Sequence, residues 1–107
     1  PMKNTLTVSP DVVREVARVT TLAMPGVLAL VAKPGAPAVA NDPYRGVEVT
    51  VRENRAHLRL RVVAAADVSL IALGQKLQAE VAEAVKEIVG MDVVAVDVTF
   101  EDVRNAA

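Results

Sequence analysis

The 107-residue chain has no cysteine and no tryptophan, and it has one tyrosine (Tyr44), one phenylalanine (Phe100) and one histidine (His57). Without cysteine there is no disulfide, no thiolate nucleophile and no thiolate metal ligand, a composition that suits a reducing compartment. Two aromatic rings cannot build the base-stacking platform of RNA-recognition or single-strand-binding domains. Excess positive charge is missing too: 12 basic against 13 acidic residues give a net charge of -1 and a pI near 5.8. No field is available to hold a polyphosphate backbone, so nucleic acid is disfavoured as a partner. No apolar run approaches the roughly 20 residues of a membrane-crossing helix, and no direct span is expected. Pro1-Met2-Lys3-Asn4 lacks the apolar stretch of a secretion signal, and Pro1 ahead of Met2 reads as a cloning remnant. The five glycines form neither G-x-x-G nor G-x-G-x-x-G, which removes the KH clamp and the dinucleotide fingerprint.

What remains is aliphatic. Hydrophobic residues make up 52% of the chain, 22 of them valine and 18 alanine, enough for one core and too few for two. A single domain over residues 2–103 with a short 104–107 tail is expected. Leu6-Thr7-Val8 reads as a short opening strand. Ser9-Pro10 then signals a helix to about Ala23, with the Ser9 hydroxyl as N-cap and proline at the first position, where its missing N–H costs nothing. Val12, Val16, Val19, Thr20 and Ala23 fall on one face of it, with Asp11, Arg14, Glu15 and Arg18 mostly opposite. Met24-Pro25-Gly26 ends it, and the unbroken apolar run Val27–Ala32 predicts a central strand or one buried on both faces.

Residues Lys33–Arg45 are rich in Pro, Gly, Ala, Asn and Asp and read as a long, mobile loop. After Gly46, Val47, Val49 and Val51 alternate with Glu48, Thr50 and Arg52. A turn at Glu53-Asn54-Arg55 leads to Leu58, Leu60 and Val62 alternating with His57, Arg59 and Arg61, a hairpin with one face on the core and one free. A second helix follows, with Ser69 as N-cap, Asp67 as a competitor, and an apolar stripe of Leu70, Leu73, Leu77, Val81, Ala84, Val85 and Ile88. Ile71, Gly74, Ala82 and Val89 widen that stripe to about half the circumference, so its flank needs helix one or another subunit as cover. Lys76–Glu80 and Glu83–Lys86 are spaced for weak surface pairs. Gly90 stops the helix in the left-handed region. The last strand alternates Val94, Val96, Val98 and Phe100 with Ala95, Asp97, Thr99 and Glu101. If it pairs with the hairpin, Asp97 or Glu101 lies opposite Arg59 or Arg61. The order β-α-β-β-β-α-β gives an α+β, two-layer fold with two helices on one face of a mixed sheet, the other face open.

Catalytic chemistry finds little footing. His57 has no carboxylate or further ligand near it in the sequence. Ser9 and Ser69, the two serines, occupy capping positions, and no G-x-S-x-G surrounds either. Asp92 and Asp97 are an odd number of residues apart and should point to opposite faces. No catalytic residue, cofactor or metal is expected. The candidate interaction residues are Arg52, His57, Arg59 and Arg61 on the basic strand face, Gly74 as a point of close approach within the helix, and Gln78, whose amide lies at the flank of the apolar arc and needs a partner.

The succession Val8-Ser9-Pro10, Val13-Arg14-Glu15-Val16-Ala17, Met24-Pro25-Gly26-Val27, Gly46-Val47-Glu48-Val49 and Leu77-Gln78 through Val89-Gly90-Met91-Asp92-Val93 to Val96-Asp97-Val98 resembles the alkaline shock protein and general stress protein family of bacterial envelope-stress proteins. The resemblance covers nearly the whole chain. It implies a small cytoplasmic, non-enzymatic protein of an envelope stress response, one that self-associates as a homo-oligomer and reaches the membrane through a separate anchor protein. The alternative from the residues alone is a small-ligand or RNA-binding module using Arg52, Arg59 and Arg61.

Overall fold

The computed structural model of the protein describes residues 2–105; Pro1 and the last two residues of the 104–107 tail lie outside the described residues. Helix α1 spans Pro10–Ala23, β1 Val27–Leu30, β2 Val47–Arg52, β3 Arg55–Ala65, α2 Leu70–Ala84 with a wider π turn over Val85–Val89, and β4 Asp92–Arg104. The α+β class, the mixed sheet and the sequence of helices and strands from Pro10 onward follow the expectation. Residues Leu6-Thr7-Val8 form no strand, however, and Leu6 stands out in solvent.

Both N-caps hold: the Ser9 hydroxyl accepts from the Asp11 N–H at 3.2 Å, and that of Ser69, not Asp67, accepts from Ala72 at 3.3 Å. Gly90 closes α2 at φ 82°, its N–H donating to Val85 and Lys86. The hairpin turns on Glu53 and Asn54 alone, both at positive φ as a tight two-residue turn requires.

The sheet is organised on β3. One edge pairs in parallel along its whole length with β4, from Arg55↔Asp92 to Ala65↔Arg104. The other edge is shared end to end: β2 runs antiparallel against residues 55–60, and β1 antiparallel against 62–64. Strands β1 and β2 are thus two halves of one edge, and the Lys33–Arg45 loop is an excursion whose ends meet where the Val31 N–H donates to the Arg61 carbonyl and the Arg61 N–H to that of Gly46. The run Val27–Ala32 is therefore an edge and not a central strand, and Leu28 is partly exposed. Six apolar residues in a row cannot distinguish the two cases, because an edge strand under a helix is nearly as apolar as a central one.

Both helices cover one face of the sheet, α1 over β1 and β2, α2 over β4. The core beneath them holds Val13 and Ala17 of α1, Leu58, Leu60 and Val62 of β3, and Leu73, Leu77, Val81 and Val85 of α2, a stripe at four-residue spacing. Helix α1 sits about a third of a turn from its expected orientation. Val13, Ala17 and Thr21 face inward, while Val12 (47% exposed) and Val19 (52%) face solvent. Apolar residues occur on most sides of this helix, so its periodicity defines the charged side better than the buried one.

The Thr21 hydroxyl is buried without a hydrogen-bond partner. An unpaired hydroxyl in an apolar setting is costly, and valine has the same shape without it. Thr21→Val is accordingly expected to stabilise the domain by about 1 kcal/mol, read as an upward shift of the thermal midpoint of roughly 4–8 °C. An unchanged or lower midpoint would show that the hydroxyl does finish a hydrogen bond.

The widened apolar flank of α2 is met by β4 only in part: Gly74 and Ala82 lie on the β4 side, while Ile71 is 75% exposed. The Phe100 ring lies 3.5 Å from where a Cβ on Gly74 would stand, an ordinary van der Waals distance. Gly74 therefore costs helix stability without a steric need, and Gly74→Ala is expected to add about 0.5–1 kcal/mol, measured by denaturant titration. Destabilisation would mean that Phe100 cannot yield the space. The pairs Lys76–Glu80 and Glu83–Lys86 do not form among the described residues; Lys86 turns to Asp92 at 2.7 Å and holds that carboxyl below the usual aspartate range.

Candidate functional site

The face of the sheet opposite the helices is uncovered. Alternation on β2 and β3 puts Glu48, Thr50 and Arg52 and then Arg55, His57, Arg59 and Arg61 on it, while their neighbours Val47, Leu58 and Leu60 go to the core. On β4 the alternation is interrupted. Ala56 pairs with Val93 and His57 with Ala95, so Val94 is a bulge residue. It leaves the core face, where Val93 takes its expected place, and joins the open face at 58% exposure.

The same extra residue corrects the reading of the acids. Asp92 aligns with Arg55 and Asp97 with Arg59, two positions of β3 that share a face, so Asp92 and Asp97 lie on the same side. A column of cations on β3 thus runs beside a column of anions on β4. His57 Nε2 lies 2.7 Å from Asp97 Oδ2, Arg59 Nε 3.8 Å from the same oxygen, and Arg61 Nη1 3.1 Å from Glu101 Oε1. The expected cross-strand matching of Asp97 and Glu101 with this strip is what the structure contains. The carboxylate next to His57 is an addition: it comes from a strand 40 residues away, and no local spacing in the sequence could have indicated it.

These pairs have modest energetic weight. His57, Arg59 and Asp97 are all about half exposed, where ion pairs contribute on the order of 0–1 kcal/mol. The Arg61–Glu101 pair is more sheltered, with both side chains under one-fifth exposed, and Glu101 is the extra residue of a second irregularity in β4, between Phe100 and Asp102. Near the strand end, Arg104 and the Val103 N–H hold the Asp102 carboxyl below the usual aspartate range.

A concavity of about 630 Å³ opens on this face between Glu48, Arg52, Glu53, Arg55, His57, Arg59 and Val94. Arg52 and Arg55 stand opposite one another across the hairpin and form no ion pair among the described residues. Of the sequence candidates, Arg52, His57, Arg59 and Arg61 are therefore brought onto one surface. Gly74 and Gln78 are elsewhere, on the α2 side of β4. Gly74 lies under Phe100, and the Gln78 amide donates to the Val96 carbonyl at 3.1 Å, which supplies the partner it needed.

Among the described residues no three His, Asp or Glu side chains gather as a metal-binding group, and no helix is long and apolar enough to cross a membrane. No curated protein and no solved structure matches the chain. A family does: residues 2–105 match the alkaline shock protein family ASP23, described as having a cell envelope-related function. That match spans both helices, all four strands and the open charged face, and the chain belongs to this envelope-related family.

Proposed function

We propose that the protein is a non-enzymatic interaction domain of the envelope stress response, one that associates with itself and is held at the cytoplasmic face of the membrane by a separate anchor protein. The observation that carries this reading is the uncovered sheet face, where a column of cations lies beside a column of anions over the length of β3 and β4. A surface of this kind presents both signs of charge in fixed register, so it selects partners by electrostatic match and excludes those that place like charges together. Exposed apolar side chains on the helical layer, Val12, Val19, Ile71 and Ile88, add surface suited to protein contact. The envelope-related family and the absence of a crossing helix among the described residues support recruitment by a membrane protein.

Affinity capture of the full chain from its native cell, followed by identification of co-purifying membrane proteins, tests the anchor. Recovery of a membrane protein whose retention falls when Arg59→Glu is introduced is expected; recovery of none leaves a soluble role. A second reading is favoured by the concavity and the unpaired Arg52 and Arg55, which suit a small anionic ligand. Binding of RNA oligomers or of pyrophosphate that weakens steeply with salt would support it, and its absence at low salt would remove it.

A further inference from the structure

We propose that the domain assembles by strand addition, the N-terminal segment Met2–Val8 of one copy pairing along the free edge of β4 in another. The proposal rests on the self-association reading above and assigns its contacts. Strand β4 pairs with one strand only, β3, so a 13-residue strand presents a second edge with no strand on it, where the Val96 carbonyl is engaged by the Gln78 amide, a contact that an incoming strand would have to displace or run beside. Such an edge is a template for a further strand unless it is covered. Beside it lies a groove of about 360 Å³ between α2 and β4, bordered by Gln78, Ala82, Val93 and Val96. The edge thus offers backbone hydrogen bonds and, on its helix side, space for apolar side chains.

The segment that would fill it is in the same chain. Met2, Leu6 and Val8 alternate with Lys3, Thr5 and Thr7, the period of a strand with one mainly apolar face, on which Asn4 is the single polar residue. Yet residues 2–8 enter no strand or helix, and Leu6 is 94% and Met2 85% exposed. Added to β4, its apolar side would face the groove and its polar side would continue the open sheet face. There Lys3 would extend beside the β4 column, which carries Asp92, Asp97 and Glu101 and no cation between them. Charge therefore matches on the open side, and on the groove side three of the four side chains, all but Asn4, are apolar.

Geometry favours a second copy. The segment leads directly into α1, which lies over β1 and β2, whereas the free edge of β4 is beyond α2 on the opposite side of the sheet. Seven extended residues reach about 23 Å, and crossing the layer within one chain would consume much of that length before pairing began. A neighbouring copy delivers the whole segment.

The absence of cysteine makes the test clean. Full-length Leu6→Cys and Ala82→Cys variants are purified separately, mixed and oxidised. A disulfide between one copy of each is expected, reduced at least tenfold by excess wild-type chain. In parallel, Leu6→Asp is expected to weaken self-association at least tenfold by sedimentation while leaving the thermal midpoint unchanged, because Leu6 touches nothing in its own domain. A wild-type chain that associates while Leu6→Asp associates equally well and no mixed disulfide forms would overturn strand addition and leave self-association standing. A double variant that closes its disulfide within a monomer would assign the segment to its own chain and overturn the exchange. A monomeric wild type would overturn both readings.

Discussion

Gly46→Ala is expected to destabilise the domain by about 3–5 kcal/mol, more than any surface substitution in it. Gly46 has φ +78°, a conformation that costs a residue with a Cβ roughly 1–2 kcal/mol. Its added Cβ would also stand 2.7 Å from the Val31 carbonyl oxygen, 2.8 Å from the Val31 nitrogen and 3.1 Å from the Arg61 carbonyl oxygen. All three are backbone atoms, so no side chain can swing aside. Relief requires β1 and β2 to part where both bond to Arg61, with the loss of about 0.5–1.5 kcal/mol for each hydrogen bond and exposure of neighbouring core. Gly35→Ala is the control. Gly35 has a similar φ of +81° but nothing within 4 Å of its Cβ position, so it should lose only the conformational part, about 1–2 kcal/mol. Denaturant titration of both variants separates the terms, and equal losses would show that the close approach at Gly46 has no energetic weight.

Leu77→Ala is expected to cost about 2–5 kcal/mol, whereas Ile88→Ala should stay within about 0.5 kcal/mol of wild type. Leu77 is fully buried in the core beneath α2, so truncation leaves a cavity that rigid neighbours only partly fill. Ile88 is 70% exposed. Their contrast is informative because the helical pattern assigns both to one stripe. The π turn over Val85–Val89 separates them: its wider winding keeps Val85 on the core and carries Ile88 off the line set by Leu73, Leu77 and Val81. Comparable losses at the two positions, measured by thermal and chemical unfolding, would contradict this placement.

These two sites also show where the sequence is legible and where it stops. Element ends are written in single residues with a local mechanism: Ser9-Pro10 and Ser69 accept orphan N–H groups, and Gly90 takes the left-handed cap. Alternation on β2 and β3 is equally local, and it places Arg52, His57, Arg59 and Arg61 on one free face before any tertiary contact is known. Irregularities of one residue are different. The bulge at Val94 and the π turn before Gly90 lie among ordinary valines, lysine and glutamate, with no proline or glycine within them to mark the change. Each shifts everything beyond it by one position, which exchanges Val94 for Val93 in the core and brings Asp92 to the side of Asp97. Long-range pairing is the other limit. The parallel register of β3 with β4, which supplies Asp97 to His57, depends on how α2 returns the chain and is encoded in no short segment.

The family match accounts for the envelope connection, and the geometry supplies surfaces suited to contact with other molecules. One sheet face carries ordered charge, one long strand edge is unpaired, and apolar side chains remain exposed on the helical layer. These surfaces suit contact with other molecules, and we propose that one of those molecules is a second copy. Sedimentation velocity of the full-length chain over a wide concentration range tests this most directly. A sedimentation coefficient that rises with concentration, and that rises less at high salt, is the result predicted; a single species at the monomer mass at every concentration and salt would contradict it.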